Sequence, residues 1–255
     1  MLGAIVGDIV GSIYEFQNHK SKEFPLFTPD RFFTDDSVLT VALAEAILEG
    51  GDYGVVMRAY GRRYPLAGYG GMFRAWLRDP SMGPYRSFGN GAAMRISPAG
   101  WAYATLEETL ERTRDFTVVT HDHPEGIKGA QATAGAIWMA RHGSSKAEIR
   151  SWIETHAGYD LSCSCDEIRP TYAFNETCQR TVPQALTACL ESSDFEDAVR
   201  LAVSLGGDSD TLTCIAGSIA EALYGGVPDA IASEALARLD DAMRQVVTRF
   251  RTVFC

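Results

Sequence analysis

The sequence predicts an all-α fold, and three observations support that prediction. Apolar residues recur mainly at spacings of 3, 4 and 7 positions, whereas few windows of strand length alternate apolar with polar residues. Clusters of Gly, Pro and Asn separate the periodic stretches. The chain of 255 residues is 46% hydrophobic and 22% charged, which suffices for a large core. Because no repeat or linker-like tract divides it, we expect a single domain over residues 1–255.

The first predicted helix lies in the N-terminal stretch 3–15, which mixes small and apolar residues. Gly3, Gly7 and Gly11 fall on one helical face, and this spacing predicts a core helix that packs closely against a neighbour. Glu15 lies at the end of that face. Because a lone carboxylate beside a core of small residues needs a partner, Glu15 is a candidate acid/base or water-positioning group.

The other predicted helices follow in chain order. The stretch 38–49 is largely apolar and stops at Gly50-Gly51, whereas 212–224 carries one apolar stripe and stops at Gly225-Gly226. The remaining helices are predicted near residues 54–64, 105–115, 126–142, 145–157, 181–190, 194–204 and 229–249. Segments 65–100 and 158–180 are long, weakly periodic and rich in Gly and aromatic residues. Segments of this kind in compact domains are usually functional loops.

Charge and composition exclude several classes of function. The formal net charge of −10 disfavours sequence-independent binding to nucleic acid or to anionic lipid. No apolar run approaches the roughly 20 residues that span a membrane, and Asp8 interrupts the apolar N-terminus, so we expect a cytoplasmic protein. The six cysteines lack disulfide-scaffold spacing, and Cys163-x-Cys165 has no second pair at zinc-site spacing. They are interpreted as reduced thiols.

Two acidic motifs stand at the starts of two predicted core helices. Thr34-Asp35-Asp36-Ser37 precedes the helix at 38–49, and Gly206-Gly207-Asp208-Ser209-Asp210-Thr211 precedes the helix at 212–224. Helix capping with ordinary salt bridges explains one Asp at each start. It explains two less easily, because burying unpaired carboxylates is costly. Mg²⁺ or Mn²⁺ would remove that cost. The candidate ligands are therefore Thr34, Asp35, Asp36, Asp208, Asp210 and Thr211.

A third motif, Ser87-Phe88-Gly89-Asn90-Gly91-Ala92-Ala93-Met94-Arg95, suits an anionic ligand. Gly-Asn-Gly is a common turn, and it is also a sequence whose backbone N–H groups can cradle a diphosphate. Phe88, Tyr69 and Tyr85 are candidates for stacking on a base, or they cover the undersides of loops. His121-Asp122-His123 lacks zinc spacing, so His121 is interpreted as a hydrogen-bonding group for a ligand oxygen or for local structure.

Two other enzyme classes fit these motifs poorly. Helical Mg²⁺ enzymes that act on prenyl diphosphates carry Asp-Asp-x-x-Asp, but Asp35-Asp36 is followed by Ser37, Val38 and Leu39. Phosphatases of the haloacid dehalogenase type carry Asp-x-Asp-x-Thr after a buried strand. Here Asp208-Ser209-Asp210-Thr211 is one residue short and follows a helix-like stretch.

Taken in order, the motifs at 7–15, 34–37, 89–95, 121–124 and 206–211 resemble those of the ADP-ribosylglycohydrolase family, over roughly residues 1–226. The resemblance implies a single-domain orthogonal helical bundle with a dinuclear metal cleft that holds two Mg²⁺, or Mn²⁺ in some members. It implies that Thr34, Asp35, Asp36, Asp208, Asp210 and Thr211 are metal ligands and that Glu15, Asp36 and Asp208 are catalytic. The residues it implies for ADP-ribose binding are Ser87, Phe88, Gly89, Asn90, Gly91, Met94 and His121.

The resemblance further implies a metal-dependent hydrolase that cleaves the C1″ glycosidic bond of an ADP-ribosylated protein or a small ADP-ribosyl compound. Bacterial relatives point first to ADP-ribosyl-arginine on protein. Hydrolysis of O-linked ADP-ribose, as on serine or acetate, and non-catalytic binding of ADP-ribose are the alternatives. Degenerate acidic motifs would mark a non-catalytic relative, and both acidic motifs are intact in this sequence.

Overall fold

The computed structural model describes residues 1–255. All of its regular secondary-structure elements are helices, apart from one isolated β-bridge between Gly89 and Thr177. The helices are α1 (Leu2–Gly11), α2 (Asp35–Glu49), α3 (Tyr53–Arg63), α4 (Gly71–Arg78), α5 (Gly91–Met94), α6 (Ser97–Ala102), α7 (Leu106–Thr117), α8 (Pro124–Arg141), α9 (Lys146–His156), α10 (Cys165–Ile168), α11 (Cys178–Glu191), α12 (Phe195–Leu205), α13 (Ser209–Leu223), α14 (Asp229–Leu236) and α15 (Asp241–Phe254). A 3₁₀ turn at Ser12–Tyr14 extends α1. The predicted all-α fold class is confirmed.

Several helix boundaries differ from the prediction. Helices α2 and α13 begin three residues earlier than predicted, so their first turns contain the acidic motifs. The predicted helix at 229–249 is divided into α14 and α15, because the Asp240 side chain accepts a hydrogen bond from the N–H of Met243 and begins a new helix. Segment 65–100, predicted as a loop, contains α4, α5 and the start of α6, and segment 158–180, also predicted as a loop, contains α10 and the start of α11.

Helices α1 and α13 pack with their backbones in direct contact. A Cβ atom on Gly7 would lie 2.0 Å from the Thr213 carbonyl oxygen, and one on Gly3 would lie 2.1 Å from that of Gly217. Only glycine permits this approach, so the predicted role of the glycine face is confirmed. The contact brings the far end of α1, with Asp8, close to the first turn of α13.

The core is one continuous cluster of buried apolar side chains that draws on all parts of the chain, from Met1 to Phe250. This continuity supports the prediction of a single domain. None of the helices combines the length and the apolar character that a membrane crossing requires.

Candidate active site

A cavity of about 280 Å³ lies where the N-terminal ends of α2, α4, α5 and α13 converge. Its walls combine the acidic motifs, the glycine-rich segment around Asn90, and His121. The acidic residues that line it are Glu15, Asp35, Asp36, Glu176, Asp208 and Asp210. The structure therefore brings together the two helix starts that the sequence places far apart.

Asp8 anchors the start of α2. Its buried carboxylate accepts hydrogen bonds from the N–H of Thr34 at 2.9 Å, the Thr34 hydroxyl at 2.7 Å and the N–H of Ser37 at 3.0 Å, and also from the Ser37 hydroxyl. The Thr34 oxygen in turn accepts a hydrogen bond from the N–H of Asp36 at 3.3 Å. Because these bonds cap α2, they fix the direction in which Asp35 and Asp36 enter the cavity.

A turn of two glycines places the acidic residues of α13. Gly206 and Gly207 have φ angles of 70° and 76°, values that side chains with a Cβ rarely adopt. A Cβ on Gly207 would also lie 2.6 Å from the ring of Tyr172. The turn joins α12 directly to the start of α13, where Asp208 and Asp210 line the cavity.

The carboxylates form two groups that share one member. Oxygens of Asp8, Asp36 and Asp210 lie within 4.8 Å of one another, and so do oxygens of Glu15, Asp208 and Asp210. The Oδ1 atom of Asp36 is buried and has no hydrogen-bond partner. A set of carboxylate oxygens with an unpartnered buried member fits a hard divalent cation. These acidic groups therefore have the composition and spacing of a metal-binding site.

Burial and mutual repulsion raise the pKa values of these acids. The pKa of Glu15 rises to about 7 and that of Asp35 to about 8, in both cases through burial first and neighbouring carboxylates second. Burial, again followed by neighbouring carboxylates, raises the pKa of Asp36 and of Asp210 well above the usual range. A divalent cation would favour the ionised carboxylates and release their protons.

Asp35 and Thr211 differ in how closely they join this cluster. Asp35 lines the cavity without belonging to either close group, and its backbone N–H donates to the carbonyl of Ala67 at 2.7 Å. Thr211 lines the cavity, and its hydroxyl lies 3.5 Å from Oδ2 of Asp36. Thr34 does not line the cavity, because its hydroxyl is turned towards Asp8.

The segment 87–91 pairs with the segment that precedes α11. The N–H of Asn90 donates to the Glu176 carbonyl at 2.8 Å, and the N–H of Cys178 donates to the Phe88 carbonyl at 3.0 Å. The Asn90 amide nitrogen donates to Oδ2 of Asp208 at 2.6 Å and to the Thr181 hydroxyl at 3.1 Å. Asn90 therefore orients a carboxylate of the acidic cluster as well as lining the cavity.

The other predicted substrate-binding residues divide between the cavity and its surroundings. Those that line the cavity are Ser87, Gly89, Gly91, Met94 and His121. Phe88 does not line it. Its ring is 44% exposed and lies 5.3 Å from the ring of His123. Burial, followed by the charge of Arg95, lowers the pKa of His121 well below its usual value, so this imidazole is neutral.

Among the charged residues at the site, Asp8, Arg95 and Glu176 were not assigned a role from the sequence. Asp8 could have been found, because a charged residue flanked by glycines on a buried helical face needs a polar partner. Arg95 similarly interrupts a run of small and apolar residues. Glu176 belongs to a segment without periodicity, and only its pairing with Asn90 brings it to the cavity.

Comparison with known proteins identifies the family. The family model described as ADP-ribosylglycohydrolase matches residues 1–254. The chain is 27% identical to ADP-ribosylarginine hydrolase Tri1 of Pseudomonas putida (strain GB-1), over 88% of this chain and 69% of the relative. It is 25% identical to ADP-ribosylhydrolase ARH3 of Homo sapiens, over 88% of this chain and 84% of the relative.

A solved structure agrees with the sequence comparisons. The protein described as an ADP-ribosylglycohydrolase-related protein complex superimposes with a TM-score of 0.72 and 27% sequence identity, over 98% of this chain and 96% of the other. The residues that the family model matches, 1–254, include both acidic helix starts and the glycine-rich segment. The chain belongs to the ADP-ribosylglycohydrolase family and is a hydrolase.

Proposed function

We propose that this chain hydrolyses the C1″ bond between ADP-ribose and an arginine side chain of a protein, with two Mg²⁺ (or Mn²⁺) held by the acidic cluster. The observations that carry the choice of arginine concern a group of three residues, called the rim: the cavity-lining Glu176 and two exposed rings close to cavity-lining acids in sequence, Phe16 and Phe174. The Glu176 side chain forms no ion pair with any basic residue. Phe16 and Phe174 are 80% and 41% exposed and stack with ring centroids 5.8 Å apart.

This rim has the chemistry of a guanidinium site. Phe16 directly follows Glu15, and Phe174 lies two residues before Glu176, so the stacked pair is joined by short stretches of chain to two cavity-lining carboxylates. A planar cation stacks on aromatic faces and pairs with a carboxylate. A serine hydroxyl or an acetate as leaving group carries no planar positive charge, so it would gain from neither contact. The 27% identity to ADP-ribosylarginine hydrolase Tri1 supports the same choice.

The proposed ligands of the two cations are the predicted ones that line the cavity: Asp35, Asp36, Asp208, Asp210 and Thr211. Thr34, also predicted as a ligand, donates its hydroxyl to Asp8 and is proposed to hold the start of α2 instead. Bound there, divalent cations supply Lewis-acid polarisation and offset the repulsion among the carboxylates. Asn90 fixes the orientation of Asp208, and Asp8 fixes that of the α2 start through its bonds to Thr34 and Ser37.

The reaction requires a proton acceptor near the attacking water. Hydrolysis forms a bond from the water oxygen to C1″, while the bond from C1″ to the leaving nitrogen breaks and its electron pair stays with that nitrogen. Glu15, Asp36 and Asp208 are the candidate acceptors of the water proton. Glu15 fits this role best, because it is only half-buried and its pKa of about 7 suits proton exchange near neutrality.

A second candidate function is hydrolysis of O-linked ADP-ribose. The similarity to ADP-ribosylhydrolase ARH3 of Homo sapiens, 25% identical over 88% of this chain, is the observation that favours it. The acidic cluster and the segment 87–91 would serve either linkage equally. The two functions therefore differ at the rim formed by Glu176, Phe16 and Phe174.

Substitution of Glu176 tests the linkage. We expect Glu176→Gln to raise KM about tenfold for arginine-linked ADP-ribose, the loss of roughly one charge-assisted contact, and to leave any slow release from a serine-linked substrate unchanged. Glu154→Gln is the matched control, since Glu154 is exposed on α9 away from the cavity. Faster release from the serine-linked substrate, or an equal effect of Glu176→Gln on both linkages, would contradict the arginine assignment.

A further inference from the structure

Arg95 is a buried cation beside the cavity without an acidic partner. Its side chain is 1% exposed, and it lines the cavity. No carboxylate lies within ion-pair distance of its guanidinium. Its Nη2 atom instead lies 2.6 Å from the Thr120 hydroxyl and 3.3 Å from Nδ1 of His121. The buried charge is therefore held by neutral groups, with the centroid of the Tyr53 ring 5.9 Å away, rather than by an ion pair.

The hydrogen-bond chemistry of these three residues fixes where the imidazole proton lies. A guanidinium only donates, so the Thr120 oxygen must accept from Arg95. The Thr120 hydroxyl, which also bonds to Tyr85, lies 2.8 Å from Nδ1 of His121 and can donate its own hydrogen there. Arg95, which can only donate, lies 3.3 Å from Nδ1 as well, and because an N–H at Nδ1 would oppose the guanidinium N–H, Nδ1 is the accepting nitrogen. The proton of the neutral ring is on Nε2.

The Nε2 atom faces the glycine-rich wall of the cavity. A Cβ on Gly91 would lie 3.4 Å from Nε2, and one on Gly89 would lie 3.6 Å from it. No side chain or carbonyl of the protein accepts a hydrogen bond from Nε2. His121 thus presents one N–H donor towards the space in which the segment 87–91 would hold a ligand.

We propose that Arg95 and Thr120 are positioning residues that hold His121 as a neutral Nε2–H donor for a ribose or phosphate oxygen of the substrate. The identity of the acceptor rests on the proposed function, whereas the position of the proton does not. Arg95 acts here in two ways: its N–H groups define the tautomer, and its charge opposes protonation of the imidazole. The burial of His121 acts in the same direction.

The tautomer is tested without substrate. In protein labelled with ¹⁵N at its five histidines, two-bond ¹H–¹⁵N spectra distinguish a protonated nitrogen from an accepting one, and His121→Gln assigns the signals. We expect His121 to show protonated Nε2 and accepting Nδ1 at pH 7, and Arg95→Met to produce a mixture of tautomers and a raised imidazole pKa. A protonated Nδ1 in the wild type, or an unchanged signature in Arg95→Met, overturns the proposal.

Binding of ADP-ribose by calorimetry gives a second readout. We expect Arg95→Met and His121→Gln each to weaken binding about tenfold, and the double variant to be no weaker than either one. Additive losses would show that Arg95 acts independently of His121 and would overturn the proposal. Arg95→Lys and Thr120→Val replace Arg95→Met if that variant does not fold. Absence of any ADP-ribose binding in the wild type would refute the proposed function and leave the tautomer test standing.

Discussion

At the scale of single residues, Asp208 is the side chain on which the site most depends. It belongs to the group with Glu15 and Asp210 and is held by the Asn90 amide at 2.6 Å. We expect Asp208→Ala to reduce turnover by about 10²-fold or more, because a proposed metal ligand and candidate base is lost. The fold should persist, since the substitution removes one of several repelling buried carboxylates. Turnover and circular dichroism measure the two effects.

The control for Asp208→Ala is Asp30→Ala, which removes an exposed carboxylate that does not line the cavity. It should retain wild-type turnover. Full activity of Asp208→Ala in a sample verified to be free of metal would refute the proposed role of the acidic cluster.

Much of the site could be predicted at this scale, and the exceptions have physical causes. Charge next to a core helix start is visible in the sequence, so the acids of both motifs can be identified from it even though their contact cannot. Thr34 and Phe88 lie outside the cavity wall because one turns to Asp8 and the other to His123. Glu176 depends on a long-range backbone pairing, which leaves no local pattern.

At the scale of elements, the contact between α1 and α13 positions the acidic cluster. The Cβ added by Gly7→Ala would overlap the Thr213 carbonyl, so the helices must separate. We expect a loss of about 1–3 kcal/mol in the free energy of unfolding, together with reduced activity, because Asp208 and Asp210 move with α13. Denaturant titration and turnover measure these two effects.

Gly83→Ala is the matched control for Gly7→Ala, because a Cβ on Gly83 would meet nothing within 4 Å. Its free energy of unfolding should stay within about 0.5 kcal/mol of the wild type. Equal stability of the two variants would mean that the helix contact is looser than described.

The long helices were predictable because their apolar spacing extends over several turns. The boundary between α14 and α15 was not, since one capping side chain, Asp240, decides it against a continuing apolar pattern. Helix α4 has only eight residues, and its buried Phe73 and Trp76 provide too short a pattern to distinguish it from a loop.

At the scale of the whole molecule, the acidic cluster couples stability to pH. In the metal-free protein the pKa of Glu15 is raised to about 7 and that of Asp35 to about 8, so the folded state binds protons more tightly than the unfolded state. Stability then falls as pH rises from the ordinary carboxyl pKa values of 3.8 and 4.5 to these raised values, and the fall ends above them. We expect the Tm in EDTA to decrease between about pH 5 and pH 8.

Adding Mg²⁺ should raise the Tm more at the upper end of this range than at the lower end, because the cation compensates carboxylates that have lost their protons. Differential scanning fluorimetry measures both slopes. A Tm in EDTA that is flat or increases over the same range would contradict the assignment of a buried, repelling cluster.

The central claim is that this chain is a metal-dependent hydrolase of arginine-linked ADP-ribose. Its most direct test is release of ADP-ribose from matched arginine-linked, serine-linked and O-acetyl substrates, each with Mg²⁺, with Mn²⁺ and with EDTA. We predict release from the arginine-linked substrate that Mg²⁺ or Mn²⁺ supports and EDTA abolishes. Release that survives EDTA would contradict the metal assignment, and preferential release from an O-linked substrate would contradict the linkage. If ADP-ribose binds but none of the three substrates releases it, the leaving group of the natural substrate is a different one.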